Sequence, residues 1–541
     1  MKIVIAEKIA PSALELLREE SRWTVITPEQ LDGKLAVHLE TADALIVRSA
    51  VDVDAGLLGH AKKLRVIGRA GVGVDNIDLE AATRQGIAVM NTPGANAVAV
   101  AEHTLALMLA MARQVCRANE LTKAGSWEKK SLQGTELRGK TLGIVGLGRI
   151  GMEVARRARP FGLQLLAHDP FVSTTVAREQ GIRLTELDEV YRESDYLTLH
   201  VALSPQTTKM INETSLQKMK RGVRIVNCAR GELIDSSSLA AALTSGHVAG
   251  AALDVFEEEP PKGSPLLSLP NVIATPHIAG STHEAQEAVG YQIALQVKEF
   301  LKHGVIQNAV NVPSVSHDEY LEMQPYIVLA ERLGSFLAQI TEGNPKELSL
   351  RYAGGIAEWK TELVRNAAIK GALNQMLSDK ANLVNAAAIA ESCGIRVHEA
   401  RKGKVGGAAG NVISILLKTT SEERLAKGTV LHGNSPRLLA VDEIDVEAPL
   451  ERNLIYLRNR DVPGVIGKVG TVLGEHNINI ADFSLGRAHA NNKATAPSGR
   501  AANNEVREAI AVIHVDTRVP ENVLTQLLQI AAVKIAKAIR L

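Results

Sequence analysis

The sequence predicts an α/β protein built on doubly wound parallel sheets, with a smaller ferredoxin-like unit at its end. Three observations predict this. From Met1 to about Pro276, short apolar runs alternate with helical stretches. A G-x-G-x-x-G turn, made by Gly146, Gly148 and Gly151, joins one apolar run to the start of one helix. From about Asn453 onward the pattern follows a βαββαβ order.

In chain order, KIVIA, ALIVRSA, LRVIGRAG and IAVMNTPG read as strands, each closed by a turn or polar cluster. A helical stretch from Ser12 to Glu20 lies between the first two. Ala97 to Lys123 reads as one long, Ala-rich helix. A strand, turn and helix follow over Gly139 to Arg157, then further strand–helix units to about Pro276. Another helix spans about Glu284 to His303. Beyond Pro313 the texture changes: helices between about Tyr320 and Ile340, a strand near Leu348 to Tyr352, then Ala-rich helices and a Gly-rich break at GKVGGAAGN. The final unit reads NLIYLRNR (strand), VIGKVGTVLGEH (helix), INIADFSLGR (strand), EAIAVIHVD (strand), PENVLTQLLQIA (helix) and VKIAKAIRL (strand). His489 to Asn504 lacks apolar periodicity and reads as a long hairpin loop.

At roughly 100–200 residues per domain, 541 residues imply three to five folding units. Lys plus Arg (61) nearly balance Asp plus Glu (60), so no global basic field exists to hold nucleic acid or an anionic membrane. An anionic substrate would need a local basic site. Cys116, Cys228 and Cys393 lie far apart, which argues against a disulfide framework or a zinc site and fits the reducing cytoplasm. No metal site is expected. Apolar stretches such as Val98 to Ala112 are broken by Glu102 and His103, and no membrane span is expected.

The glycine turn has the context of a dinucleotide site. Gly146 permits the tight turn, Gly148 lets backbone N–H groups approach a pyrophosphate, and Gly151 allows close helix–strand packing. The next strand, LQLLAHDP, ends in Asp169, whose carboxylate would bond ribose hydroxyls and repel a 2′-phosphate. The expected cofactor is therefore NAD. Three polar residues follow probable strands: Arg230 after VRIVNCA, Glu259 after AALDVFEE and His277 after NVIATP. An imidazole can take the proton of an alcohol, a carboxylate can orient that imidazole, and an arginine can clamp a substrate carboxylate.

GLGRIG, NCARGELID, ALDVFEEEP and TPHIAGST, together with AGVGVDNIDLEAA and AVAEHTLALMLA, resemble the D-isomer-specific 2-hydroxy acid dehydrogenase family over about Met1 to Pro313. The resemblance implies a nucleotide-binding domain (97–282) inserted within a substrate domain (1–96 and 283–312). It implies that His277 is the acid/base, Glu259 its partner and Arg230 the carboxylate clamp. It also sets Arg149, Ile150, Cys228, Asp254 and Gly280 beside the cofactor. Arg48 and Arg69 are candidates for a substrate phosphate, with Arg48 favoured, and the backbone of Gly71, Val72 and Gly73 faces the substrate carboxylate. His103, on an apolar helix, reads as structural.

The tail is similar to that of the long-form branch of this family, which oxidises D-3-phosphoglycerate at the entry to serine biosynthesis. It implies an α+β intervening domain (313–450) and an ACT regulatory domain (451–541). In the latter, Asp461 heads a tight turn before a helix N-terminus and Asn479 begins the next strand, a setting suited to an amino acid such as L-serine. The Ala97 to Lys123 helix implies a two-fold contact in a homodimer or homotetramer. Other readings stay open: another D-2-hydroxy acid dehydrogenase acting on glycerate, glyoxylate or 2-hydroxyglutarate, or a non-enzymatic NADH-sensing interaction protein.

Overall fold

The computed structural model describes residues 1–541 except 314, 316, 378–380, 403–409 and 489–506. Two parallel sheets form the first part. The first contains β1 (Lys2–Ile5), β2 (Thr24–Ile26), β3 (Ala44–Val47), β4 (Val66–Arg69) and β5 (Ala88–Met90), in the order β2-β1-β3-β4-β5. Every residue of β3 is buried, as expected for a parallel strand covered by helices on both faces.

The second sheet contains β6 (Thr141–Val145), β7 (Gln164–His168), β8 (Arg183–Leu184), β9 (Tyr196–Leu199), β10 (Val223–Asn227), β11 (Val248–Leu253) and β12 (Val272–Ala274). Its order, β12-β11-β10-β9-β6-β7-β8, reverses direction between β6 and β9, the point where ligands bind in such sheets.

After β12 the chain returns to the first sheet. The helix His283–His303 lies across β4, and a Cβ on Gly68 would fall 2.8 Å from Ile293 Cγ1. Glycine at this strand position is thus what lets the helix pack down. Asn311 then reaches back, its Oδ1 accepting from Val89 N at 2.9 Å. The second sheet is accordingly an insertion within the domain of the first.

The expected single helix from Ala97 to Lys123 is two helices, Ala97–Ala112 and Val115–Lys123. Gln114 between them is left-handed (φ 51°), which breaks the hydrogen-bond ladder. The first helix is mostly buried. The second buries nothing, and Val115 and the nearby Trp127 are exposed.

The intervening domain holds far more strand than the sequence reading anticipated. Beside the expected β13 (Pro345–Ala353) stand β14 (Arg396–Lys402), β15 (Val412–Thr419), β16 (Glu423–Leu431), β17 (Ser435–Val441) and β18 (Ile444–Pro449), in the order β14-β13-β15-β16-β17-β18. The long helix ending at Ile340 and the helix Glu362–Met376 cover one face. Residue 313 is no boundary of the core. Val312, Val315, Tyr320 and Met323 join the Ile3 and Ile5 cluster to Leu350 and Tyr352.

The last sheet, β20-β21-β19-β22, combines β19 (Asn453–Arg460), β20 (Ile480–Arg487), β21 (Glu508–Val515) and β22 (Val533–Arg540), the ferredoxin-like order. The loop expected over His489 to Asn504 lies outside the described residues, as does most of the Gly-rich break. Among the described residues, no helix is long and apolar enough to cross a membrane.

Candidate active site

At the carboxyl edge of β6, Gly146 turns the chain with φ +92°, and a Cβ there would lie 2.5 Å from the His200 carbonyl oxygen. A Cβ on Gly151 would lie 2.1 Å from Gly146 O, so the helix Arg149–Ala158 abuts the turn only because this residue is glycine. Gly148 faces open space. The first N–H groups of this helix, which no turn of the helix itself can satisfy, and its positive dipole end therefore face the open space beside Gly148.

Asp169 stands beside the same turn. Its Oδ2 accepts from Leu147 N at 2.8 Å, and its Oδ1 from Phe171 N at 2.8 Å. The side chain of Arg149 turns away from this open space and donates to Pro93 O across the two domains, so its backbone N–H is what would face an anion. Ile150 follows in the first turn of the helix. Cys228 is buried beneath, and burial pushes its thiol up to about 12, leaving a neutral, inert group. These residues fit a dinucleotide: an anion cradle at the helix end, and a carboxylate one strand away for ribose hydroxyls.

A like-charge clash with a 2′-phosphate costs several kcal/mol, so kcat/KM with NAD is expected to exceed that with NADP by about 10² or more. Asp169→Ser should narrow that gap. Equal values for the wild type would show that the carboxylate does not meet the ribose.

The second constellation lies in the cleft. His277 Nδ1 is 2.7 Å from Glu259 Oε2, and Glu259 is itself steadied by Phe256 N, which donates to Oε1 at 3.1 Å. With Nδ1 engaged, Nε2 is the ring nitrogen without a hydrogen-bond partner among the described residues. Arg230 comes from the loop after β10. Its Nε and one terminal nitrogen lie 3.1 and 2.9 Å from Asp75 Oδ2, a residue of the first domain. Arg230 thereby bridges the cleft. Gly73 makes room for it, since a Cβ there would fall 1.9 Å from the guanidinium.

Asp254 is fully buried. Burial opposes its charge, yet donors from His103, Thr275 and two backbone N–H groups outweigh that cost and hold its carboxyl below the usual range. Gly280 ends this turn, packed against Asn96.

Arg48 and Arg69 end β3 and β4 at the same edge of the first sheet. Arg48 donates to Lys8 O at 3.3 Å and lines a cavity of about 240 Å³ with Lys8 and His283. Arg69 packs against Gly71, and its Nε is buried without a hydrogen-bond partner among the described residues. Burial first, and then the positive charge of Arg230, lower its pKa below the usual arginine value. An anion would relieve both the orphaned donor and the repulsion. Asp75, missing from the motif-based expectations, is marked in the sequence only by its place in the GVGVDN turn, which faces the cleft.

The regulatory candidates lie apart. Asp461 pairs with Arg487 at 3.1 Å, and Asn479 donates to Asp516 at 2.7 Å. β20 separates them, so within one chain they stand at opposite ends of the sheet.

An NAD cradle beside an imidazole–carboxylate pair and a cleft-bridging arginine defines a dehydrogenase of small hydroxy acids. Residues 105–279 match the family described as D-isomer specific 2-hydroxyacid dehydrogenase, NAD binding domain. Residues 322–442 match the D-3-phosphoglycerate dehydrogenase intervening domain, and 454–532 the ACT domain. The chain is 40% identical to D-3-phosphoglycerate dehydrogenase of Methanocaldococcus jannaschii, covering 100% of both chains. It is 36% identical to that of Bacillus subtilis, covering 91% of this chain and 93% of the relative. Among solved structures, D-lactate dehydrogenase from Aquifex aeolicus, complexed with NAD and lactic acid, is 31% identical with a TM-score of 0.52. It covers 58% of this chain and 100% of that one. The chain belongs to the D-3-phosphoglycerate dehydrogenase family, within the D-isomer specific 2-hydroxyacid dehydrogenases.

Proposed function

We propose that the chain oxidises D-3-phosphoglycerate to 3-phosphohydroxypyruvate with NAD, opening the route to L-serine in the cytoplasm. The observation that carries this reading is the His277–Glu259 pair set in the cleft that Arg230 bridges, in a chain alike over its whole length to D-3-phosphoglycerate dehydrogenases. Bound NAD supplies the acceptor for the hydride leaving C2. His277 Nε2 takes the C2 hydroxyl proton as the carbonyl forms, and Glu259 stabilises the resulting imidazolium. Arg230 and the Gly71–Gly73 backbone hold the substrate carboxylate, and Arg48 and Arg69 receive the phosphate.

A substrate panel tests this. Hydrogen bonds to charged groups are worth about 1.5–3 kcal/mol each, so D-3-phosphoglycerate should exceed D-glycerate and D-lactate in kcat/KM by about 10² or more. Parity among the three would overturn the reading.

The terminal domain is proposed to bind L-serine and slow turnover. β20 is an edge strand of its sheet. Two copies meeting antiparallel along it would set the Asn479 end of one against the Asp461 end of the other, uniting the two groups across a pair. Exposed Val115 and Trp127 mark a second contact, in keeping with a homodimer or homotetramer. A coupling of about 1–3 kcal/mol would lower activity several-fold. Calorimetry should show serine binding to the wild type and its loss in Asp461→Ala; no binding at millimolar serine would refute the site. A monomer by light scattering would refute the pairing.

A further inference from the structure

Behind the His277–Glu259 pair lies a second polar group that the chemistry above does not use. Asp254 Oδ1 accepts from Thr275 Oγ1 at 2.6 Å and from Ile278 N at 2.9 Å, while Oδ2 accepts from Ala279 N at 2.8 Å. His103 Nε2 lies 3.2 Å from Thr275 Oγ1 and 3.4 Å from Asp254 Oδ1. The threonine proton is committed to Asp254, so the imidazole donates through Nε2 to this pair. Asp254 O also accepts from His277 N at 2.8 Å. Asp254 therefore grips the 275–279 turn at three backbone N–H groups, and His277 sits in the middle of it.

The turn is not a relaxed one. His277 is left-handed, with φ +53°. Such a conformation persists in a non-glycine residue only where its surroundings hold it. The glutamate on the cleft side bonds only the ring. What holds the backbone is Asp254, and the side chains that hold Oδ1 of Asp254, beside Ile278 N, are Thr275 and His103.

His103 is not an element of the turn or of its sheet. It projects from the helix Ala97–Ala112, which begins where the chain passes from the first domain to the second.

We propose that His103 is a positioning residue for the reaction. Through Thr275 and Asp254 it fixes the turn that presents the His277 ring, and it ties that turn to the helix between the two domains. The proposal rests on His277 being the base, but its structural part can be read without turnover.

In the ligand-free protein, His103→Ala should speed amide hydrogen exchange across residues 275–280 by about tenfold, because a local opening becomes easier. With substrate, kcat should fall by about 10–100-fold, as small misplacements of reacting groups produce, while the KM for the hydroxy acid changes less than twofold. His103→Gln, which keeps an N–H donor on a side chain of similar reach, should restore both. Thr275→Val, which keeps the shape and removes the bridging hydroxyl, should repeat the alanine result and decides the matter if His103→Ala does not fold. Wild-type exchange and turnover in folded His103→Ala would overturn the proposal. So would a glutamine variant as slow as the alanine one. A wild type inert toward D-3-phosphoglycerate would instead count against the proposed substrate, with the exchange comparison still deciding the role of His103.

Discussion

Replacing His277 by alanine is expected to lower kcat by about 10²–10⁴, the usual worth of a positioned general base. The loss should fall on turnover and not on folding. The His277 side chain is 52% exposed, so its removal opens no core cavity. Glu259 keeps its hydrogen bond from Phe256 N, and the glycine turn that would hold the pyrophosphate is untouched, so NAD binding should persist. A second variant separates orientation from basicity. In Glu259→Gln the amide can donate to Nδ1, which forces the ring proton onto Nε2, the nitrogen that must accept from substrate. That wrong tautomer should cost roughly 10²-fold or more, even though size and contacts are preserved. Both are read from initial rates of NADH formation. Near-native turnover in His277→Ala would remove it from the chemistry.

Much of the first half of the molecule was legible because parallel strands buried on both faces are unbroken apolar runs. ALIV and the LGIV of β6 announce themselves. The glycine turn was legible because sterics leave no substitute at Gly146 and Gly151. The intervening domain was harder. β15 alternates inward and outward residues, VISILLKT, but Val412 and Leu416 stand on the outward side beside Ser414 and Lys418, so its period of two is faint. β14, RVHEARK, is mostly charged, with Val397 as its one large apolar residue, so it carries little apolar signal; it pairs with β13 along its whole length. The break at Gln114 was hidden too, since glutamine is an ordinary helix former and only the observed φ marks it. In the site, positions after strands could be read, but partnerships could not. Arg230 with Asp75 joins residues far apart in sequence, and His103 with Asp254 and Thr275 depends on how one helix lies against one turn. Asp461 and Asn479 show the converse: eighteen residues apart in a motif, yet parted by the length of a strand.

Arg230→Ala is the second large effect expected, and it should differ in kind from that of His277→Ala. Truncating one partner of a hydrogen-bonded charge pair costs about 2–5 kcal/mol, which corresponds to about 30-fold to several thousand-fold in kcat/KM. Part should appear as a raised KM, because the carboxylate is bound in the ground state. Part should appear in kcat, because an unclamped C2 no longer lies against its hydride acceptor. The present partner of Arg230 does not argue against this role. Asp75 is 66% exposed, and a pair so open to water is worth about 0–1 kcal/mol, so an incoming carboxylate displaces it at little cost. For the same reason the thermal midpoint of Arg230→Ala should stay close to wild type. Arg230→Lys tests whether charge or shape matters. Lysine keeps the charge but loses the planar fork, so it should recover KM in part and kcat hardly at all. Asp75→Ala supplies the last arm: it frees the guanidinium from its competitor and should leave KM unchanged or lower. An Arg230→Ala enzyme whose kcat/KM lies within threefold of wild type would show that the substrate carboxylate is held elsewhere in the cleft.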